Sequence, residues 1–584
     1  MLLSNLDLLA TAPGGVARLR ELILTLAVQG KLVPQDAADE PASVLLAKIL
    51  AEKERLVAEG KIKRGKPLAE ISDEEKPFEV PIGWEWVRLN SLLQKIGAGS
   101  TPLGGREVYV PSGVKFLRSQ NVWNDGLRLQ GVAFIKPETH AKMAGTVVVA
   151  NDLLFNITGA SIGRCAVVPS DFDEANVSQH VTIVRPVLPA LNAFLHKVLV
   201  SRHVQQAVMD VQVGVSREGL SIAKLGHFLI PVPPLPEQSR IVTRVEELMQ
   251  LCDALEAKGR LEAAQHARLV STLLATLTES PNPEALAENW QRVSTHFDLL
   301  LDRPEAVDAL EQTLLQLSVR GLLVPQDPQD EPASALLARI RAEKDRLIAG
   351  GKIKRDKPLV AIADGEKPFG LPRGWEWARL GDVALISSGI TLGRKTAIAS
   401  PVLLPYLRVA NVQRGHLKLS SMKEVVIDKT ELERFQISVG DLLITEGGDW
   451  DKVGRTAIWR DELPICLHQN HVFKARGTSP EWNPVWAELF LNSAVARAYF
   501  ALSAKQTTNL ASINMSQLKS CAFPLPPLPE QSRIVARVAS LRRLCADLRQ
   551  RLAASQSVQS RLAEALVSNH AQTSIHRQDK CHAA

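Results

Sequence analysis

The stretch PPLPEQSRIV occupies residues 233–242, and the same ten residues return unchanged at 526–535. Each is followed by apolar residues every three or four positions. A chain with this repeat must build the same junction twice, and self-similarity along the rest of the sequence bears that out. LAVQGKLVPQD at 26–36 aligns with LSVRGLLVPQD at 317–327. DEPAS at 39–43 recurs at 330–334, GKIKR at 60–64 recurs at 351–355, EKPF at 75–78 recurs at 366–369, and GWEW at 83–86 recurs at 374–377. Leu8, Leu9 and Pro13 align with Leu299, Leu300 and Pro304. One copy therefore runs over about 5–279 and the second over about 296–571. A period of about 290 residues is far too long for a solenoid, so the unit is a duplicated module of several parts.

The copies are unevenly alike. Between GWEW and PPLPEQ the match thins to scattered positions. Arg118 and Asn121 align with Arg408 and Asn411, Asp152 with Asp441, Gly163 and Arg164 with Gly454 and Arg455, and His180 with His471. The spacing between aligned pairs wanders, as loops of different length require. Divergent middles between near-identical flanks indicate a shared frame carrying two different readers.

Local patterns assign elements to each part. Val16, Leu19, Leu22, Ile23, Leu26 and Ala27 have helical spacing, which predicts a helix over 15–30 with Gly30 at its C-cap. A second helix is expected over 41–59, opening at Pro41 and ending before Gly60. The corresponding helices of copy two fall at 306–320 and 332–350. The middles read as strands: KFLRSQNV, GTVVVANDLLFNI, CAVVP and HVTIVRP in copy one, and LLPYLRVANV, GDLLITEGG and HVFKA in copy two. Trp84 and Trp86 of GWEW share a strand face and read as a core anchor opening the domain. After each PPLPEQ, Ile241, Val245, Leu248, Cys252 and Leu255, and Ile534, Val538, Leu541, Cys545 and Leu548, recur at heptad-like spacing. A helix of about 35 residues spans roughly 50 Å and needs a partner, the obvious one being the other copy's helix. The fold expected is α+β: two tandem copies of a mixed α/β, strand-rich domain joined by long antiparallel spacer helices, with pseudo-twofold symmetry.

Composition sets the outer limits. At 584 residues about three to five domains are expected. Apolar residues make up 45% and charged residues 23%, as in ordinary globular proteins. A net charge of +6, over 69 basic and 63 acidic residues, permits nucleic-acid binding without demanding it. No apolar run reaches the roughly 18 residues of a membrane span, and the N-terminus reads as the start of the fold, not a signal peptide. The six cysteines form no CxxC and no zinc spacing with histidine. Cys252 and Cys545 fall at matching helical places, so both read as buried apolar residues, and the set reads as reduced thiols of a cytosolic protein.

Catalytic motifs are missing from the sequence. The Pro-Pro pairs are followed by Leu, whereas an amino-methyltransferase needs an Asn/Asp-Pro-Pro-aromatic turn. No Gly-rich loop follows a strand in the way a dinucleotide or S-adenosylmethionine requires. GITLGRKT at 389–396 fails the phosphate-loop spacing, and GAGSTPLGG at 97–105 lacks the lysine. The thirteen histidines form no metal pattern. His180 and His471 are matched by the repeat. Each is a satisfied strand histidine, a base or phosphate contact, or a metal or catalytic group. The basic runs Lys61, Lys63, Arg64, Lys66 and Lys352, Lys354, Arg355, Lys357 face phosphates or form a solvated linker.

Two readers separated by long paired helices form a ruler, and duplex DNA is the pseudo-twofold partner that suits one. The segment PLPPLPEQxRIV behind a divergent domain, the long helix after it, LAVQGKLVPQ in the preceding head and GWxW opening the next domain resemble the specificity (S) subunit of Type I restriction-modification systems. The resemblance covers about residues 5–571. It implies an N-terminal helical head at 1–79, target recognition domain 1 at 80–235 and a central spacer helix at 236–280. It further implies a linker and second head at 281–370, recognition domain 2 at 371–528, and a C-terminal spacer helix and tail at 529–584. Each domain would read one half of a split, asymmetric DNA site. The helices would set the gap and dock modification (methyltransferase) subunits, two in number, with restriction (endonuclease/translocase) subunits beyond. The chain itself would be non-catalytic, cytoplasmic and free of cofactors and metals. S-adenosylmethionine, ATP and Mg would belong to the partners, which methylate adenine N6 and cut DNA. The alternative is a coiled-coil scaffold with two duplicated binding domains and no DNA role.

Polar residues in expected loops are the candidate DNA contacts. Copy one offers Ser100, Thr101, Arg118, Gln120, Asn121, Gln179, His180 and Arg217. Copy two offers Thr391, Arg394, Arg408, Asn411, Gln469, Asn470, His471, Thr507 and Asn509. Arginine suits guanine O6/N7, and Asn or Gln suits adenine N6/N7. For any one of them a structural or phosphate role competes, and the presence of Arg118 and Arg408 in both copies favours a shared role over base reading. The PPLPEQ motif reads as joinery, with Glu237 and Gln238 touching partner subunits or the opposite helix and never a base. Replacing residues 371–528 by the same segment of another family member is expected to change one half of the recognised sequence only. A map of methylated adenines checks this, and a change in both halves contradicts it.

Overall fold

The computed structural model describes residues 6–65, 67–213, 219–393, 398–448, 452–507 and 510–576. They fall into two units. The first holds the chain up to Glu262 together with the stretch from Gln556 onward, and the second holds 263–555. The chain passes from the first unit to the second along the helix Leu235–Thr278 and returns along the helix Leu528–His576. Their 44 and 49 residues exceed the expected 35, because the helical pattern continues past the heptad-like stripe. No helix among the described residues is long and apolar enough to cross a membrane.

Each unit opens with a helical head. In unit one the helix Gly15–Val28 stops at Gly30, whose φ of 68° closes the C-terminus as expected. A side chain at Gly30 would place its Cβ 2.4 Å from Pro81, so the glycine also admits the next segment. The helix Ala42–Ala58 follows Pro41 at its N-cap. Unit two repeats both as Pro304–Val319 and Ala333–Ala349.

Behind the head, a two-stranded antiparallel ribbon, the neck, ties the two ends of the strand-rich domain together. Glu85–Arg88 pairs with Leu229–Val232, and Glu376–Arg379 pairs with Ala522–Leu525. GWEW is thus the entry strand and the residues before PPLPEQ are the exit strand. Trp84 and Trp86 are buried, and Trp84 Nε1 donates to Glu237 Oε2 at 2.9 Å. In unit two Trp375 Nε1 donates to Glu530 Oε2 at 3.0 Å. Gln35 Nε2 reaches the other Glu237 oxygen at 3.2 Å, and Gln238 Nε2 donates back to Pro233 O at 2.9 Å. Arg240 pairs with Asp39 at 2.5 Å, and Arg533 with Asp330 at 2.6 Å. This corrects the expectation that Glu237 and Gln238 face partners. They are 1% and 2% exposed, turned inward to the chain's own head and neck.

The two strand-rich domains share one scaffold sheet. In unit one its order is Cys165–Val167, Leu153–Asn156, Val181–Pro186, Leu93–Ala98, all antiparallel. In unit two the order Thr456–Ile458, Leu442–Thr445, Val472–Gly477, Ala384–Ser388 is the same. The runs Leu153 to Phe155 and Leu442 to Ile444 are fully buried, which explains their unbroken hydrophobicity. Asp152 and Asp441 recur because each is buried and held by a guanidinium, Arg185 at 2.6 Å and Arg476 at 2.6 Å. Beyond the scaffold the domains differ. Unit one adds a five-stranded sheet in which Val114–Leu117 and Ala175–Val177 run parallel. Unit two adds two three-stranded sheets, one built on Pro401–Leu407 and one on Leu510–Ser512.

The apolar stripe corrects a second expectation. Ile241, Val245 and Cys252 are buried in one cluster with Val16, Ile23 and Ala27 of the same copy's head rather than against the other copy's helix. In unit two, Leu541, Cys545 and Leu548 join Leu310 and Leu314 of the head and Val270, Leu274 and Leu277 from the end of the central helix. In unit one, Ala563 and Val567 from the end of the last helix pack with Leu9, Ala12 and Leu22. Each head therefore buries the start of one long helix and the end of the other. The three-to-four spacing that buries a stripe does not say which helix covers it. Among the described cysteines, Cys165, Cys252, Cys466, Cys521 and Cys545 are buried and unpaired, and burial pushes their thiols up.

Burial also raises the carboxyls of Glu237 and Glu530 above their ordinary 4.5. The folded state then keeps a proton that the unfolded chain has released, so stability falls as pH rises from 4.5 to the raised value and levels off above it. E237Q keeps an acceptor for Trp84 and is expected to remove the Glu237 share of that decline, leaving the Glu530 share. E237A strands the buried indole N–H and is expected to cost about 2 kcal/mol. Urea denaturation across a pH series measures both.

Candidate nucleic-acid interface

Most sequence-predicted contacts of unit one meet at one end of its scaffold sheet. Gly99 lies so close to the strand Ala175–Val177 that a Cβ would sit 1.9 Å from Val177 O. Only glycine permits this crossing, and Gly389 repeats it against His468 O at 2.0 Å. The crossing brings Ser100 and Thr101, both exposed, beside the exposed pair Gln179 and His180. Thr101 Oγ1 donates to Gln179 Oε1. Gln179 Nε2 lies 3.1 Å from His180 Nε2, and Thr158 Oγ1 lies 2.7 Å from His180 Nδ1. Thr101, Gln179, His180 and Thr158 thus form one exposed hydrogen-bonded chain of donors and acceptors. Gly219 packs against its base, with a Cβ there 2.4 Å from Thr158 Cγ2.

The next turn is Ser119–Asn121, with Gln120 exposed. Asn156, fully buried, donates to Ser119 O at 2.9 Å and joins this turn to the sheet. Arg118 precedes the turn and its Nε is buried without a hydrogen-bond partner. Trp123 follows the turn and carries the guanidinium groups of Arg128 and Arg164 on its ring.

Unit two keeps the positions and changes the chemistry. Ile390 N donates to His468 O at 2.8 Å, and Asn470 N donates to Ile390 O at 2.9 Å. These bonds bring exposed Thr391 beside half-buried Gln469 and Asn470 and exposed His471. His471 Nδ1 lies 2.6 Å from Glu446 Oε2, so a carboxylate meets the ring nitrogen that in unit one faces the Thr158 hydroxyl. Arg408 Nη2 donates to Ser421 O at 2.8 Å, and its Nε, like that of Arg118, is buried without a partner. Thr507 lies in the strand Lys505–Thr507, which joins Leu510–Ser512 and Gly447–Gly448 in one sheet. Arg217, Arg394 and Asn509 lie outside the described residues. Among the described residues, no group of His, Cys, Asp and Glu has the makings of a metal site.

Two candidates are corrected. Asn121 and Asn411 are each 1% exposed, with both ends of the amide engaged. Oδ1 accepts from the backbone N–H of Arg118 or Arg408 at 2.9 Å, and Nδ2 donates to Arg128 O or Lys418 O at 2.8 Å. They lock a turn and have no edge left for a base. Sequence reasoning missed Thr158, Glu446, Trp123 and Arg164. Arg164 had a visible signal, the Gly-Arg pair matched at 454–455, whereas Thr158 and Glu446 become visible only through the strands that carry them to the histidines. N121A and N411A are each expected to destabilise the chain by about 2 kcal/mol, since each leaves a buried N–H and C=O unpaired. Chemical denaturation measures it.

Comparison with known proteins places the chain in a family. The family described as Type I restriction modification DNA specificity domain matches residues 81–266 and 372–555. The chain is similar to the Type I restriction enzyme EcoAI specificity subunit of Escherichia coli, 38% identical over 571 residues, covering 94% of this chain and 93% of that protein. It is similar to the EcoEI specificity subunit of Escherichia coli, 36% identical over 569 residues with the same coverage. A solved structure from work on complex assembly and conformational transition of the type I R-M system is 19% identical and covers 85% of this chain and 99% of its own, with a TM-score of 0.47. On the sequence relatives, which match almost from end to end, the chain belongs to the family of Type I restriction-modification specificity subunits.

Proposed function

We propose that this chain is the DNA-recognition subunit of a Type I restriction-modification complex, with residues 80–235 and 371–528 each reading one half of a split, asymmetric site. One observation carries the reading. The same neck and the same four-stranded scaffold occur twice, and each holds a different polar constellation at the same loop crossing. A frame used twice with its tips changed is what two unlike half-sites require. Exposed Gln179 and half-buried Gln469 and Asn470 suit bidentate contact with adenine, whereas the acceptor Glu446 suits a base amino group. The partly buried Arg118 and Arg408, shared by both copies, suit phosphate contact and orientation.

In this reading the two long helices, each about 70 Å if straight, set the gap between half-sites and dock the methyltransferase subunits. The chain is non-catalytic and acts in the cytoplasm. Methyltransferase subunits use S-adenosylmethionine to methylate adenine N6, and restriction subunits use ATP and Mg for translocation and cleavage. Purified chain mixed with its cognate modification subunits is expected to methylate adenines in one split motif, mapped genome-wide. Deletion of its gene is expected to abolish that motif. Persistence of every methylated motif after deletion overturns the reading, as does methylation or cleavage by the chain alone.

A further inference from the structure

Trp123 lies on a two-residue hairpin, where it pairs with Gly126. Its indole Nε1 donates to Gln120 O at 2.9 Å, which fixes the ring against the Ser119–Asn121 turn. The guanidinium carbon of Arg128 lies 3.6 Å from the ring centroid and that of Arg164 lies 3.8 Å from it. Two guanidinium groups at these heights overlap if they share a face, so they occupy opposite faces. The result is a cation–ring–cation sandwich with the charges about 7 Å apart.

Neither charge is neutralised in depth. Arg128 meets Asp125 at 3.4 Å, with both side chains more than half exposed. Arg164 has no carboxylate partner among the described residues. Stacking covers the flat face of each guanidinium and leaves its edge N–H groups free to donate. Both faces of the indole are occupied, so no base can stack there. Two parallel forks of fixed positive charge, held apart by one ring, suit two successive anions along a single strand. The backbone places them beside the reading loops. Asn156 N donates to Arg164 O at 2.8 Å, and Ile157 N, next along, donates to His180 O at 3.0 Å.

Unit two has the charges without the ring. Asn411 holds Lys418 O as Asn121 holds Arg128 O, so Lys418 stands in the place of Arg128. Gln413 is the aligned neighbour of the turn, and Arg455 Nη1 donates to its Oε1 at 2.7 Å. Positive charge kept at both positions while the aromatic is exchanged marks contact with a ligand feature common to both half-sites. The sugar-phosphate backbone is that feature.

We propose that Arg128, Trp123 and Arg164 form a clamp for two successive phosphates of one DNA strand at the first recognition domain. The clamp rests on the DNA-recognition reading above. Its test uses the full chain in complex with its methyltransferase subunits and a duplex carrying the mapped motif, titrated by fluorescence polarisation from about 50 to 200 mM KCl. R128Q and R164Q are each expected to lower the slope of log affinity against log salt by about 0.9, with the methylated motif unchanged. R128K and R164K retain the charge and are expected to retain the slope; its loss in them assigns the effect to structure and overturns the clamp. Wild-type slopes in both Gln variants also overturn it and leave the recognition reading standing. A changed base in the first half-site assigns these arginines to base reading instead. Absence of salt-dependent binding by the wild-type complex is the separate outcome that sinks the recognition reading itself.

Discussion

The hydrogen bond from Trp84 to Glu237, repeated from Trp375 to Glu530, is the contact on which each half of the molecule depends. It joins the entry segment of a recognition domain to the first turn of the helix that leaves it. Glu237 also takes Gln35 from the head, so three parts of the chain converge on one buried carboxyl. Such a carboxyl is costly to bury unless its oxygens are occupied, and an indole N–H is costly to bury unless it has an acceptor. Each group therefore requires the other. This mutual need accounts for the recurrence of the tryptophan and the glutamate in both copies.

Once the neck is closed, the scaffold sheet and the loop tips are free to answer to different demands. Gly99, Gly389 and the Asp152–Arg185 and Asp441–Arg476 pairs hold the strands in fixed relation. Asn121 and Asn411 lock equivalent turns. Thr158 and Glu446 stand on the exposed side of these supports, where exchanging a hydroxyl for a carboxylate strands no buried group. A family of specificity subunits needs this separation. In the proposed reading, residues at the tips can be exchanged while the buried hydrogen bonds that keep the domain folded stay satisfied. The stacked arginines on Trp123 fit the same logic, because the charges recur and the ring between them does not.

The head helices, the strand runs and the duplication were legible because each rests on local pattern: apolar spacing, Gly and Pro at ends, and repeated words. The length of the long helices was underestimated because the stripe of Ile241 to Leu255 ends before the helix does. The helices against which that stripe packs were not legible either, since Val16 and Ile23 present the same three-to-four spacing as any other partner. At the candidate interface, the exposure of Gln179 and His180 was legible from their place in a polar loop. The role of Asn121 was not legible, because its amide is taken by the carbonyl of Arg128, seven residues on, across a turn that no local rule specifies.

The sequence by itself determined that the chain is a duplicated frame with two divergent inserts, because repetition and periodicity are properties of the string. It also determined the family, through motifs whose double occurrence excludes chance. The tertiary structure decided the rest: that PPLPEQ turns inward, that each head holds the start of one long helix and the end of the other, and that His180 meets a threonine where His471 meets a glutamate. These contacts join residues far apart in the chain. Their partners are chosen by strand register and by which buried polar groups must be satisfied, and neither is written in the spacing of any one segment.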